Sequence, residues 1–338
     1  MPETRSHPGQ IETAPVSDSV LLNAWHPVAW SQQLQEGQVR AVRLLGQDLV
    51  LWRSQGQAMA WKDLCVHRGT RLSLGRVEQH CLICPYHGWR YGVHGRCTLI
   101  PSHPSQEPPE KARATTFACQ ESGGVLWANL GQPGCPPPLL PPWQAPEFRQ
   151  ICCGPYAFQA SSPRVVENFL DVAHFPFVHD GLLGDSQQAE VDLEDYQVEV
   201  GPQGIVARDI SVYQPDPDGT GRGARVHYTY NVLAPFQAYL TKQVAQQHFH
   251  LFLGVCPQDE HHSLAFMLIA MNYGHDIPEL ELQAFQDRIV AQDRPIVESQ
   301  RPELLPLDLQ AELHLRSDRA AIAYRKWLSS LGLRFGTA

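Results

Sequence analysis

Two short clips, Cys65-x-His67 and Cys84-x-x-His87, lie between Asp63 and Gly95, and no other feature restricts so tightly what this chain can fold into. Each sits in a turn rich in Gly or Pro, with sixteen residues between them. Two thiolates and two imidazoles are the ligand set of a [2Fe–2S] centre in which His replaces Cys on one iron, which raises its potential. Cys₂His₂ is also a zinc set. A zinc finger, however, usually places two Cys in one clip and two His in the other. Here each clip holds one of each, so each turn can give a sulfur to one iron and a nitrogen to the other. The mixed clips favour a [2Fe–2S] cluster on Cys65, His67, Cys84 and His87.

The residues around the clips, C-x-H-R-G and C-P-Y-H-G-W, resemble the Rieske iron–sulfur motif of the oxygenases. In Rieske proteins of respiratory and photosynthetic complexes each clip carries an additional Cys, and the pair closes a disulfide. Thr70 and Tyr86 stand at those positions here, so the resemblance points to the oxygenase and soluble-ferredoxin branches.

At 338 residues the chain is too long for such a module alone. Hydrophobic content of 43% and charged content of 18% describe a folded protein with a sizeable core. The formal charge of −9 argues against a nucleic-acid partner and favours a basic electron donor. No apolar run is long enough for a bilayer, and residues 1–19 lack a signal-peptide core, so a soluble, cytoplasmic protein is expected. Nine cysteines scattered along the chain do not form a disulfide framework; apart from Cys65 and Cys84 they read as buried or indifferent thiols.

Residues 1–19 read as a disordered tail. From residue 20 to 132 short strands between Gly-containing turns, such as 39–45 and 48–53, predict a small β-sandwich with both clips at one tip. Residues 133–142, within G-Q-P-G-C-P-P-P-L-L-P-P, form a stiff Pro-rich connector. Beyond it, over 143–338, the alternation of Val226, Tyr228, Tyr230 and Val232 and the apolar run 263–272 predict an antiparallel sheet. Leu282, Phe285, Ile289 and Val290 have the spacing of a helix packed on it. The fold class is thus α+β, a β-sandwich followed by an antiparallel sheet that grips a helix.

The second chemistry-bearing stretch is Glu167–His179. Asp171, His174 and His179 stand at i, i+3 and i+8, which on a helix confines them to an arc of about 140 degrees. Pro176 would disrupt a regular helix, so the two histidines are expected to flank a break there and converge. Two His and one carboxylate form the facial triad of non-haem Fe(II) oxygenases; the bland alternative is a pair of half-buried helix histidines. N-x-x-D-x-x-H-x-x-x-x-H is similar to the mononuclear-iron motif of Rieske oxygenases.

That resemblance implies a Rieske β-sandwich followed by a helix-grip catalytic domain, with one [2Fe–2S] cluster and one Fe(II) per subunit. It implies that Asp171 bridges a cluster His of the neighbouring subunit to an iron His, while the carboxylate ligand comes from the late helix. Asp293 is the choice there and Asp287 the runner-up; Asn168 lines the iron site. The function implied is a terminal oxygenase that uses O₂ to hydroxylate or demethylate a small aromatic or heterocyclic substrate. The chain has no flavin or NAD motif, so electrons come from a separate reductase or ferredoxin. Its length resembles the α-only oxygenases, which are homotrimers without membrane or nucleic-acid partners. A Rieske electron carrier fused to a ligand-binding domain is the alternative.

Overall fold

Alternating and wholly apolar runs become ten strands before the Pro-rich segment in this computed structural model, which describes residues 18–201, 204–217, 221–244 and 246–338. They are β1 (His26–Trp30), β2 (Val39–Leu44), β3 (Gln47–Ser54), β4 (Gln57–Lys62), β5 (Arg76–Glu78), β6 (Cys81–Ile83), β7 (Arg90–Tyr91), β8 (Cys97–Leu99), β9 (Thr116–Ser122) and β10 (Val125–Asn129). The larger sheet runs β1-β10-β9-β4-β3-β2, and the smaller one, β5-β6-β7-β8, carries the second clip. β3 is the hinge between two cores. Successive strand residues face opposite sides, so Leu49 and Leu51 enter the main core while Val50 and Trp52 enter a smaller one with Trp61, Tyr91 and both clip thiols.

The second half is one antiparallel sheet, in the order β11 (Arg149–Phe158), β17 (Ser263–Met271), β16 (Gln247–Pro257), β15 (Gln237–Val244), β14 (Ala224–Ala234), β13 (Gly204–Gln214) and β12 (Gln197–Gly201). Residues Val226, Tyr228, Tyr230 and Val232 of β14 are buried on one face, as their alternation predicts. The long helix of this half (Glu279–Ser299) packs against β11 and buries Gln286, Ile289, Val290, Asp293 and Val297. The halves share the main core: Trp30 Nε1 donates to Gly154 O at 3.0 Å, and Leu45 N donates to Pro257 O at 2.7 Å.

Five helices complete the chain: α1 (Ser19–Leu22), α2 (Ser162–Leu170), α3 (Phe175–Val178), α4 (Glu279–Ser299) and α5 (Arg319–Ser330). The tail expected over 1–19 lies outside the described residues except at its end, where Asp18 stands at the N-cap position of α1 and its carboxylate accepts instead from Arg334 N at 2.9 Å. Folded chain therefore begins before residue 20. The Pro-rich segment is docked: Trp25 Nε1 donates to Cys135 O at 2.6 Å, and Leu140 and Trp143 are buried.

Two helical expectations need correction. The break falls at Asp171–Ala173, ahead of His174, because Pro176 occupies the first turn of α3, where no helical N–H bond is lost. Phe285 is 40% exposed on α4, since the helix turns Gln286, one residue on, toward the sheet instead. Among the described residues no helix is long and apolar enough to cross a membrane, and every cysteine is free.

Candidate metal centres

The two clips fold alike. Cys65 N donates to Thr70 O and Gly69 N to Cys65 O; Cys84 N donates to Trp89 O and Gly88 N to Cys84 O. Both glycines have positive φ, +71° and +69°, which closes each five-residue turn without a Cβ penalty. The thiols point inward and are buried, whereas His87 is exposed and His67 half-buried, with ring centroids 4.5 Å apart. Trp89 stacks on His67 at 4.6 Å and 7°. His67 Nδ1 is buried with no hydrogen-bond partner among the described residues, as a nitrogen reserved for a metal would be. Burial, and then the charges of His87 and Arg68, hold its imidazole below the usual range, in the neutral form that ligates. Tyr91 Oη, 3.2 Å from Cys65 Sγ, adds a donor to one sulfur. Two inward thiols and two paired imidazoles at one tip thus fit the [2Fe–2S] group.

Charge around the clips departs from that of the chain. Residues 62–113 contain 8 Lys and Arg and 4 Asp and Glu, giving 8 − 4 = +4 against −9 overall. Several of these charges are paired, Arg71 with Asp48, Arg76 with Glu78 and Arg96 with Glu107.

The second group forms where α2, α3 and α4 meet. His174 caps the start of α3 and His179 its end, so four residues of helix set the two imidazoles on one side. Their Nε2 atoms are 3.2 Å apart, and Asp293 Oδ1 lies 3.3 Å from the first and 3.1 Å from the second. Among the described residues these three are the one set of His, Cys, Asp or Glu donors within 4.8 Å of one another. Asp293 Oδ1 is buried yet makes no aligned hydrogen bond, so two nitrogens and a carboxylate oxygen crowd one point. That arrangement fits a divalent cation of the 2-His-1-carboxylate type.

Electrostatics agree. Burial presses the His174 imidazolium to lose its proton, but Asp171 and Asp293 outweigh it and hold the group up at about 9. Burial likewise opposes the Asp293 carboxylate, and His174 and His179 reverse this and keep it below its ordinary range. A cation would take the place of that proton.

Asp171 ends α2. One of its oxygens accepts from Ala173 N at 2.7 Å, the other lies 3.5 Å from His174 Nδ1, and 40% of the side chain is exposed. Asn168, one turn earlier, lines the adjoining cavity. Asp287 is elsewhere, accepting from Tyr156 Oη at 2.6 Å, and Glu298 accepts from Gln159 N. The cavity is about 680 Å³ and is walled by Phe169, Phe175, Tyr228 and Met267, with Gln286 as a buried amide. From the 180–190 loop Gly181, Leu182 and Leu183 reach it, and from β14 Tyr228 and Tyr230. Sequence reasoning missed Tyr91, Trp89 and Gln292, whose amide oxygen is 2.9 Å from His179 Nδ1. Trp89 stood inside the quoted motif; nothing local marked the other two.

Comparison with known proteins agrees with this geometry. Residues 24–118 match the Rieske [2Fe-2S] domain, and residues 158–334 match the vanillate O-demethylase oxygenase C-terminal domain. The chain is 32% identical over 335 residues to methylxanthine N1-demethylase NdmA of Pseudomonas putida, covering 95% of this chain and 92% of that protein. It is 30% identical to methylxanthine N3-demethylase NdmB of the same organism, covering 93% and 90%. The solved structure of NdmA with caffeine superposes with a TM-score of 0.80, covering 92% and 90% of the two chains. Oxidoreductase NdmD of Pseudomonas putida shares 42% identity over 114 residues, 33% of this chain and 19% of that protein.

Proposed function

We propose, from the premise that this chain belongs to the Rieske-type non-haem iron oxygenases, that it removes an N-methyl group from a planar heterocycle. The chain is a terminal oxygenase component, and its electrons come from a separate reductase. The observation that carries the finer reading is the meeting of His174, His179 and Asp293 donor atoms on the wall of one aromatic cavity. Iron(II) held by these three would supply the point at which O₂ is activated.

The chain's own residues do the rest. Within residues 20–132, Cys65, His67, Cys84 and His87 would hold the cluster, which would supply the electron, and residues 143–338 would house the oxygen chemistry. Asp171, 40% exposed and 3.5 Å from His174 Nδ1, would link His87 of the partner subunit to His174, which calls for a homotrimeric ring. Phe169, Phe175 and Tyr228 offer flat apolar faces to a planar ring, Asn168 and Gln286 offer amides to its polar edges, and Lys242 and Arg288 also line the cavity. The flat apolar faces and the amides suit a planar heterocycle, and the methylxanthine N-demethylase activities of NdmA and NdmB point the same way. A reducing, cytoplasmic setting suits nine free thiols. The fused-carrier alternative is not favoured, because it leaves three converging donors with no work.

Anaerobic reconstitution followed by iron and sulfide analysis gives three irons and two sulfides per chain on this reading, and two of each for a carrier. Oxygen uptake and formaldehyde release are then compared for caffeine, a methoxybenzoate and an aryl sulfonate with a surrogate reductase. Formaldehyde from caffeine alone supports the N-demethylase; release only from the methoxybenzoate sinks it.

A further inference from the structure

His179 is 1% exposed, and its two ring nitrogens face different partners, both supplied by α4. Nε2 turns to Asp293 Oδ1 at 3.1 Å, while Nδ1 lies 2.9 Å from Gln292 Oε1. Consecutive helix residues point about 100 degrees apart, so neighbours on one helix seldom serve one side chain. Here they do, one at each ring nitrogen of a single imidazole.

An amide oxygen can only accept. Nδ1 must then carry the proton, which leaves the Nε2 lone pair bare toward Asp293 and His174. If the amide presented its NH₂ instead, the proton would move to Nε2 and occupy the point where the three donors converge. We propose that Gln292 is a positioning residue that fixes His179 as its Nδ1–H tautomer and so keeps Nε2 available to the metal; this rests on the iron reading above.

His174 is treated differently: the nearest group to its Nδ1 that the geometry offers is the Asp171 carboxylate, at 3.5 Å and without an aligned hydrogen bond. The two imidazoles therefore have unlike neighbours, one anionic and 40% exposed, one neutral and part-buried.

The test uses the intact oxygenase with its cluster, stripped of mononuclear metal and dialysed anaerobically against graded iron(II). Gln292→Met keeps the side chain's length and removes the acceptor oxygen; Gln292→Glu keeps the acceptor. The Met variant should bind the third iron about 10- to 100-fold more weakly than wild type, and the Glu variant within about threefold of it at pH 8, by which it ionises and accepts. Cluster absorbance and the melting temperature should be unchanged in both. Binding by the Met variant within about twofold of wild type overturns the proposal, as does equal weakening in both variants. A Met variant that fails to fold is replaced by Gln292→Leu, judged by the same two outcomes. His174→Ala separates the premise: if it still takes up the third iron, the iron reading itself is wrong, whatever the Gln292 variants do.

Discussion

Tyr91 Oη lies 3.2 Å from Cys65 Sγ inside the smaller core, where Trp52 and Trp61 also pack. Once Cys65 is a metal-bound thiolate it has no proton to give, so the phenol must be the donor. Burial holds Tyr91 well above the usual phenol range and keeps it protonated.

A donor to sulfur favours the reduced, more negative cluster. Tyr91→Phe is therefore expected to lower the cluster potential. A difference of about 1 kcal/mol in hydrogen-bond strength between the two oxidation states corresponds to roughly 40 mV for one electron. Redox titration followed by visible absorbance measures it, and an unchanged potential would remove Tyr91 from the cluster's surroundings.

The two aspartates divide the work at His174. Asp293→Ala removes one of three converging donors and is expected to take the chain from three irons to two. Asp171→Asn leaves those donors intact and is expected to keep all three irons, while reoxidation of the reduced cluster by O₂ with substrate bound slows about tenfold or more, equivalent to about 1.4 kcal/mol in the barrier. Metal analysis and stopped-flow absorbance read the two outcomes. The assignment is reversed if Asp171→Asn empties the site and Asp293→Ala fills it.

His26 is buried in the core shared by the two halves, and its Nε2–H donates to Leu21 O at 2.8 Å. Burial is the main cause of a pKa lowered to about 4 from 6.5, only partly offset by that carbonyl. In the window between these values the unfolded chain binds a proton that the folded chain refuses. Stability therefore falls as pH drops from 6.5 toward 4, by on the order of 3 kcal/mol in all, and His26 has no such effect above 6.5. Urea midpoints at pH 7.5 and 5.0 should diverge less in His26→Gln than in wild type.

Arg325 joins α5 to α2. Its Nε and Nη2 meet the two Glu167 oxygens at 2.5 and 2.8 Å, and Nη2 also reaches Glu312, which Arg164 holds from the other side at 2.8 Å. Arg325→Ala leaves Glu167 largely buried with a weakened partner set, and a loss of about 3–5 kcal/mol is expected. Thermal melting checks it, and a change below about 1 kcal/mol would mean that water replaces the guanidinium.

The two turns proposed to hold the cluster were legible because each clip is local: Cys65 with His67, and Cys84 with His87, lie within one five-residue turn whose glycine and hydrogen bonds the sequence encodes directly. The same holds for His174 and His179, set by the four residues of α3, and for β14, whose alternation needs only a period of two. Asp293 could be named only by family resemblance, since on α4 alone nothing separates it from Asp287. Gln292 meets His179 across 113 residues of chain, a contact that exists only once α4 is packed. The shared core of the two halves and the docking of the Pro-rich segment are likewise decided in space. Local spacing fixes which donors can share a turn; it cannot fix which distant side chain completes a site, because that depends on how helices and sheet pack, a sum of many contacts that no short stretch carries.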